Sequence, residues 1–378
     1  MSTIPNTTKE VITVAKKEIA FLDLNTKEIQ KEIPPIPQKE KADIADGKHK
    51  KIIIKSFLAA GDITVLTAAV RDLKKAHGDR LSIDVRTSCP SLWENNPHLT
   101  RIKESQADIV VDAHYPLVNN SNQYAYHFIH GYALNLEKQL GLRIPITDFK
   151  GDVHISQEEK QWISQIEQHY GRKDKFWIID TGIKWDFTSK ASNPKTLQKV
   201  VSHFKDVLFV QTGMASHFHP RLKGDNVIDL VGKTNLREMV RLMYHAVGVI
   251  TPISFPMHLA AAVESPYTER RPCIVLAGGR EPRHWEQYPN HVYFDKVGQL
   301  SCCKDRACWK TRCTIIKDGD DERNASLCEN RVFVRKAKNK KEREMFDEFY
   351  VPKCIDDIKA KDIIEAMNNY YDAGGAVR

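Results

Sequence analysis

Four turns of this 378-residue chain hold groups able to grip an anion or activate a hydroxyl, and one late stretch holds half of its eight cysteines. The first turn is Ala60-Gly61-Asp62-Ile63-Thr64. Its glycine lets backbone approach a ligand closely. A carboxylate at the start of a helix is favoured as an anion, so Asp62 is a candidate general base. A plain helix-capping aspartate would have the same look. The second turn, Thr181 to Lys190, offers Thr181, Gly182, Lys184 and Lys190 beyond an apolar run. Hydroxyls, backbone N–H groups and point charges suit a diphosphate, though a solvated basic loop would read alike. The third holds Gly232, Lys233 and Thr234 but lacks the glycine-rich lead of a P-loop. Thr234 is expected to cap the helix NLREMVRLM. The fourth places Ser254, Met257 and His258 where a short alanine-rich helix begins. A helix start is an anion site, while a histidine on so apolar a helix is also a common packed residue.

The cysteine stretch is SCCKDRACWKTRC, residues 301–313. Cys302, Cys303, Cys308, Cys313, Cys328 and Cys354 crowd into the last part of the chain, whereas Cys89 and Cys273 lie in or beside strand-like runs and read as core. Four thiolates suit zinc or iron. No C-x-x-C ribbon or redox motif is present, and free thiols remain an alternative.

The elements that must position these turns alternate along the chain. KIIIKSFLA reads as a buried strand, AAGDITVLTAAVRDLKKAHGDR as a helix ended by Gly78, and LSIDVRT and ADIVVDAHY as further strands. ISQEEKQWISQIEQHYG looks like one bridging amphipathic helix with Trp162 and Ile166 on a face. The alternation restarts near residue 175 with FWIIDTG, PKTLQKVVSHF, VLFVQTG, NLREMVRLMYHA, GVITPI, MHLAAAVE and CIVLAGG. Two such α/β halves predict two Rossmann-like domains facing a cleft, with ligands beyond the C-terminal strand ends. The expected organisation is an N-terminal appendage and linker at 1–48, an N-terminal Rossmann-like domain at 49–170 and a C-terminal Rossmann-like domain at 171–300. A cysteine-rich metal segment at 301–354 and a C-terminal helix at 355–378 complete it.

Composition narrows the function classes. The chain is 41% apolar and 28% charged with a net charge of +8, which permits an anionic ligand. The basic residues are scattered and carry no nucleic-acid signature. No apolar run is long enough to span a membrane, and the N-terminus lacks a secretory core. A cytoplasmic enzyme is expected, where clustered cysteines favour metal ligation over disulfides.

AGDITVLTAAVRDLKKAHGD, NPHLTRI and DLVGKTNLREMVRLMYHAVGVITPISFPMHLAAAV together resemble glycosyltransferase family 9, the ADP-heptose heptosyltransferases, over roughly residues 50–300. The family's lipopolysaccharide enzymes place an acidic residue and a glycine before the final Pro-Met-His. Here Ile253 and Phe255 stand in their places, which implies a different substrate. KWDFTSK, FVQTGMASHFHPRL, GGREPRHWEQYP and CCKDRACWK resemble the autotransporter heptosyltransferase branch, which modifies serine hydroxyls of repetitive adhesins. The resemblance implies a GT-B fold, inverting transfer from ADP-heptose and Asp62 as base. It implies a donor site drawn from Gly61, Thr181, Gly182, Lys184, Lys190, Gln211, Gly232, Lys233, Thr234, Ser254, Met257 and His258. An acceptor would meet Tyr115, His127 and His130 in the first lobe, unless these only line a packed loop. The branch further implies a homo-oligomer and a structural iron on Cys303, Cys308, Cys328 and Cys354, with Cys302 and Cys313 as spares. Such a metal would supply folding free energy to a segment short in apolar residues. No Asp-x-Asp motif stands at a strand end, so no catalytic divalent cation is expected. The same fold acting on lipopolysaccharide or a small molecule is the alternative, followed by a non-catalytic nucleotide-sugar-binding scaffold.

Overall fold

A computed structural model describes residues 48–114, 126–182 and 184–375. The expected appendage, apart from its last residue, and Tyr115 fall outside these.

The first lobe is built on a three-stranded parallel sheet in the order β2-β1-β3, from β1 (Lys50–Ser56), β2 (Leu81–Thr87) and β3 (Ile109–Asp112). Helix α1 (Ala60–His77) connects β1 to β2 and ends at Gly78, as its sequence predicts. Ile63, Leu66, Val70 and Leu73 are fully buried along it, each worth roughly 1.5–3 kcal/mol relative to exposure. Helix α2 (Phe128–Leu140) follows β3 and stops at Gly141 in left-handed conformation.

The predicted bridging helix is two short pieces, α3 (Gln157–Gln161) and α4 (Gln165–Tyr170). Ser156 caps the first with a reciprocal Glu159 bond, and Ser164 caps the second. A second capping serine restarts the helix and leaves Trp162 extended between the two. Trp162 is exposed and lies under the Arg241 guanidinium, while Ile166 is buried, so the two do not share a face.

The second lobe carries a six-stranded all-parallel sheet in the order β6-β5-β4-β7-β8-β9. Its elements are β4 (Phe176–Asp180), α5 (Pro194–His203), β5 (Leu208–Thr212), β6 (Val227–Asp229) and α6 (Leu236–His245). Then come β7 (Ala246–Pro252), α7 (Phe255–Ala262), β8 (Cys273–Gly278), α8 (Arg283–Glu286) and β9 (His291–Asp295). Asn235, not Thr234, caps α6, through a box with Glu238. An asparagine directly before the helix fits the box spacing that Thr234 misses by one residue.

Beyond β9 the chain forms α9 (Asp321–Ala325), an antiparallel pair β10 (Arg331–Lys336) and β11 (Glu348–Pro352) around α10 (Lys340–Met345), then α11 (Lys353–Asp356) and α12 (Ala360–Asp372). The last helix returns to the second lobe, where Ile363 and Met367 pack with α5 residues and Trp177 Nε1 donates to Tyr371 Oη at 2.9 Å. The expectation that the cysteine segment has little core is corrected: Cys313, Ile316, Val334, Phe346, Phe349 and Val351 form a buried cluster of their own with Ala191.

The largest buried cluster runs through both lobes, joining Ile52 and Leu66 to Val249 and Met257. Gly151 marks the seam, since a Cβ there would lie 2.7 Å from Thr64 O and 2.8 Å from Ala262 Cβ. Among the described residues no helix is long and apolar enough to cross a membrane.

Candidate active site

Asp62 sits in the first turn of α1, where the first lobe meets the second. A Cβ on the preceding Gly61 would stand 3.1 Å from the His258 ring, so glycine is what lets α1 start against the first turn of α7. Burial pushes the Asp62 carboxyl up from its ordinary range, with Lys190 opposing and Glu281 adding to the shift. The carboxyl is therefore a stronger base than a solvated aspartate once deprotonated.

Lys190 reaches this point from the loop after β4. Its Nζ lies 3.1 Å from Glu281 Oε1, and Arg280 Nε donates to the same oxygen at 3.2 Å. Glu281 and Glu286 are both buried, at 3% and 2% exposure. Each keeps an Oε2 without a conventional donor. One proton held between the two side chains accounts for both atoms. Burial works against charge on Glu281, yet Lys190 and Arg280 overcome it and hold its carboxyl well below the usual range. Burial and the neighbouring Glu281 charge keep Glu286 protonated. Two carboxyls so close cannot both ionise in a dry site, and the pair delivers one negative charge to Lys190.

His258 faces inward. Its Nδ1 is 2.8 Å from Tyr288 Oη, and burial followed by the Lys190 charge lowers its pKa to about 3, so it is neutral. From the first turn of α7, the positive end of that helix's dipole, it braces Gly61 and Tyr288. His127 and His130 are buried rather than open to an acceptor. His127 Nδ1 accepts from Ile129 N and its ring meets Phe149 and Tyr288, while His130 packs on Phe149 and Tyr126. They support the site from behind.

The donor-side candidates gather at the C-terminal ends of β4, β5 and β7. Buried Asp180 ties the loops together: Oδ1 accepts from Gly182 N at 2.7 Å and Oδ2 from Ser254 Oγ at 3.1 Å. Gln211 is fully buried. Its amide donates to Thr181 Oγ1 and Pro220 O and its oxygen accepts from Leu222 N, so it pins loops instead of presenting a free group. His219 fills the gap between Gly182 and Gly213; a Cβ on either would come within 2.1 Å of its ring. Met257 is fully buried. Lys184 pairs with Asp186 at 2.8 Å, and Lys233 Nζ donates to Asp229 O at 2.8 Å. Gly232 and Lys233 are exposed and Thr234 is half-buried on that rim. Asp180, His219, Glu281, Glu286 and Tyr288 were not singled out in the sequence. Asp180 had a signal, an acid closing an apolar strand; His219 lies in FVQTGMASHFHPRL, and Glu281, Glu286 and Tyr288 lie in GGREPRHWEQYP, segments that carried the resemblance without assigning these residues a role.

The cysteines converge on the far side of Glu281. Cys302, Cys303, Cys308, Cys328 and Cys354 line a cavity of about 20 Å³, room for one water-sized body. Gly279 forms part of its wall, where a Cβ would be 2.9 Å from Cys303 Sγ; beside it, a Cβ on Gly278 would be 3.0 Å from Cys354 Sγ. Cys313 stands apart, its thiol donating to Thr188 O and Tyr350 O. Cys302, expected as a spare beside Cys313, lines the cavity with the other four. Burial raises the thiols of Cys328 to about 12 and Cys354 to about 11, so they hold protons unless a cation displaces them. The donor set fits a soft metal, with the sulfurs set wider than a closed trio: among the described residues the three-ligand group within 4.8 Å is His98, Asp152 and His154.

Residues 212–306 match the model of glycosyltransferase family 9 (heptosyltransferase). No curated protein matches the chain. Among solved structures, the iron-containing dodecameric glycosyltransferase TibC from enterotoxigenic E. coli is 14% identical, with 87% of this chain and 81% of that one aligned at a TM-score of 0.55. It has also been solved in complex with ADP-D-β-D-heptose. E. coli ADP-heptose lipopolysaccharide heptosyltransferase II is 12% identical over 86% of this chain and 100% of its own, at 0.53. A family 9 glycosyltransferase from Veillonella parvula is 15% identical over 66% and 86%, at 0.51. The shared fold is the α/β GT-B arrangement of heptosyltransferases.

Proposed function

We propose that this chain, a glycosyltransferase carrying a family 9 heptosyltransferase domain, moves heptose from ADP-heptose to serine hydroxyls of an acceptor protein with inversion. The observation that carries the reading is the junction of Asp62, Lys190 and the Glu281–Glu286 pair at the start of α7. An acceptor hydroxyl attacks the anomeric carbon as Asp62 takes its proton. The bond from that carbon to the diphosphate oxygen breaks, and negative charge grows on the departing ADP. Lys190, held by Glu281, and the first turn of α7 offset that charge. Thr181, Gly182 and Ser254, fixed through Asp180 and Gln211, shape the donor side.

The protein acceptor rests on the resemblance of KWDFTSK, FVQTGMASHFHPRL and GGREPRHWEQYP to the autotransporter branch. A metal in the cysteine cavity is supported by the neighbour TibC, described as iron-containing and dodecameric. Cys303, Cys308, Cys328 and Cys354 would hold iron or zinc, with Cys302 at the cavity wall. The metal would contribute cross-linking of the segment, not chemistry at Asp62. Assembly into a homo-oligomer and a cytoplasmic location belong to the same reading.

The test is incubation with ADP-heptose and a serine-rich adhesin repeat, followed by intact-mass measurement of the repeat. A gain of one or more heptose masses supports the proposal. Transfer only to a core oligosaccharide would replace it with the lipopolysaccharide reading, and ADP-heptose binding without transfer to either would leave a scaffold.

A further inference from the structure

A second cluster of ligating side chains lies outside this site. His98 Nε2 is 3.3 Å and His154 Nε2 2.8 Å from one oxygen, Asp152 Oδ2, and the three ligand atoms fall within 4.8 Å of one another. They come from two segments distant in the chain. His98 belongs to the loop after β2; Asp152 and His154 flank Val153 on the strap between the lobes.

The positions are fixed before any ligand arrives. Asn96, itself buried, accepts from His98 N through Oδ1 at 2.9 Å and donates Nδ2 to Asp152 O at 3.3 Å, locking the two segments in register. Thr67 Oγ1 accepts from Asp152 N at 2.7 Å, Val153 N donates to Ala262 O, and Arg237 Nη1 donates to His154 O at 3.0 Å. The three side chains stay partly open, at 18%, 16% and 32% exposure, so an ion can reach them and keep water in its remaining positions. Two cations bear on His98, Arg71 and Lys75. Arg71 is bound to Asp72 and to the carbonyls of Asp148 and Lys150, and Lys75 to Thr147 Oγ1.

We infer that His98, Asp152 and His154 form a binding site for one divalent transition metal at the seam between the lobes. Two imidazoles and a carboxylate select zinc, cobalt, nickel or copper over magnesium or calcium. The open positions leave the ion three protein ligands. Because the strap touches α1 at Thr67 and α7 at Ala262, a bound ion would stiffen the seam rather than enter the transfer reaction.

Cobalt titration of the untagged full-length protein, purified with its cysteine centre loaded, tests this. Wild type should take up one further Co²⁺ with weak visible bands and no thiolate charge-transfer band, and its melting temperature should rise with Co²⁺. His98→Ala and His154→Ala should each weaken that uptake at least tenfold. His154→Gln, which keeps a hydrogen-bond donor for Asp152, should lose uptake while melting like wild type without metal. Absence of the extra equivalent in folded wild type, or equal uptake by all the variants, would overturn the site and leave a hydrogen-bonded staple.

Discussion

The Asp62 junction and the cysteine cavity are built on the same strand end yet solve opposite problems. Gly279 lines the cavity and Glu281, two residues on, anchors Lys190. At Glu281 the protein supplies its own counter-charges: Lys190 and Arg280 both hold one carboxylate, and Glu286 retains a proton. At the cysteines burial instead keeps Cys328 and Cys354 as neutral thiols, with no charge pair among them. Ion pairs within the protein hold the first cluster without help, whereas on the proposed reading the thiols would be held by an ion.

The largest effect should separate the two at once. Asp62→Asn should lower transfer by about 10²–10⁴-fold with ADP binding retained, read by acceptor mass and by calorimetry. Normal transfer by this variant would remove Asp62 from the mechanism. Next, Lys190→Ala leaves the buried Glu281 carboxylate with Arg280 as its remaining cation. It should reduce transfer and cost about 3 kcal/mol in stability, measured by urea unfolding. Adding Glu281→Gln should recover most of the stability and none of the transfer.

Cys308→Ser or chelation should act on the other cluster. Residues 300–330 should become open to limited proteolysis, with a loss of turnover well short of that of Asp62→Asn. A folded, assembled Cys308→Ser protein without turnover would join the two clusters into one device. The smallest effect concerns pH. Burial raises the Asp62 carboxyl above the ordinary aspartate range. A raised folded value means that stability is fullest below the unfolded value and falls as pH rises through the folded one. Asp62→Asn should therefore melt slightly above wild type at pH 7, with the gain fading toward acid. For activity the sign is reversed: kcat/KM should fall in acid along a limb centred above that ordinary range, as the base is protonated.

Much of the frame was legible because parallel strands buried on both faces write continuous apolar runs, as KIIIKS, FWIID and CIVLAG do. The helix stop at Gly78 was legible because glycine ends a helix locally. Local rules also misled. Ser164 broke a helix whose periodicity ran on, and Asn235 took the cap from Thr234. The site was legible at Asp62, Lys190 and His258, which stand beside glycine, hydroxyl or helix-start signals. Glu281, Glu286 and Tyr288 were not, since their roles depend on Lys190 and His258 arriving from 91 and 30 residues away. The burial of His127 and His130 is likewise a tertiary fact with no local mark.

The cysteine segment holds both arms of the Lys190–Glu281 pair. Ser189 N donates to Thr311 O, Arg280 Nη1 to Lys310 O, and Cys308 N to Gly279 O. This has a consequence in time. On the ribosome, Asp62 emerges early and Cys354 about 300 residues later, a delay on the order of 15–60 s. Throughout that interval a nascent chain carries Asp62 without these contacts around Lys190 and Glu281. On the proposed reading, a chain cut short before residue 300 should therefore transfer sugar poorly even with both α/β lobes translated.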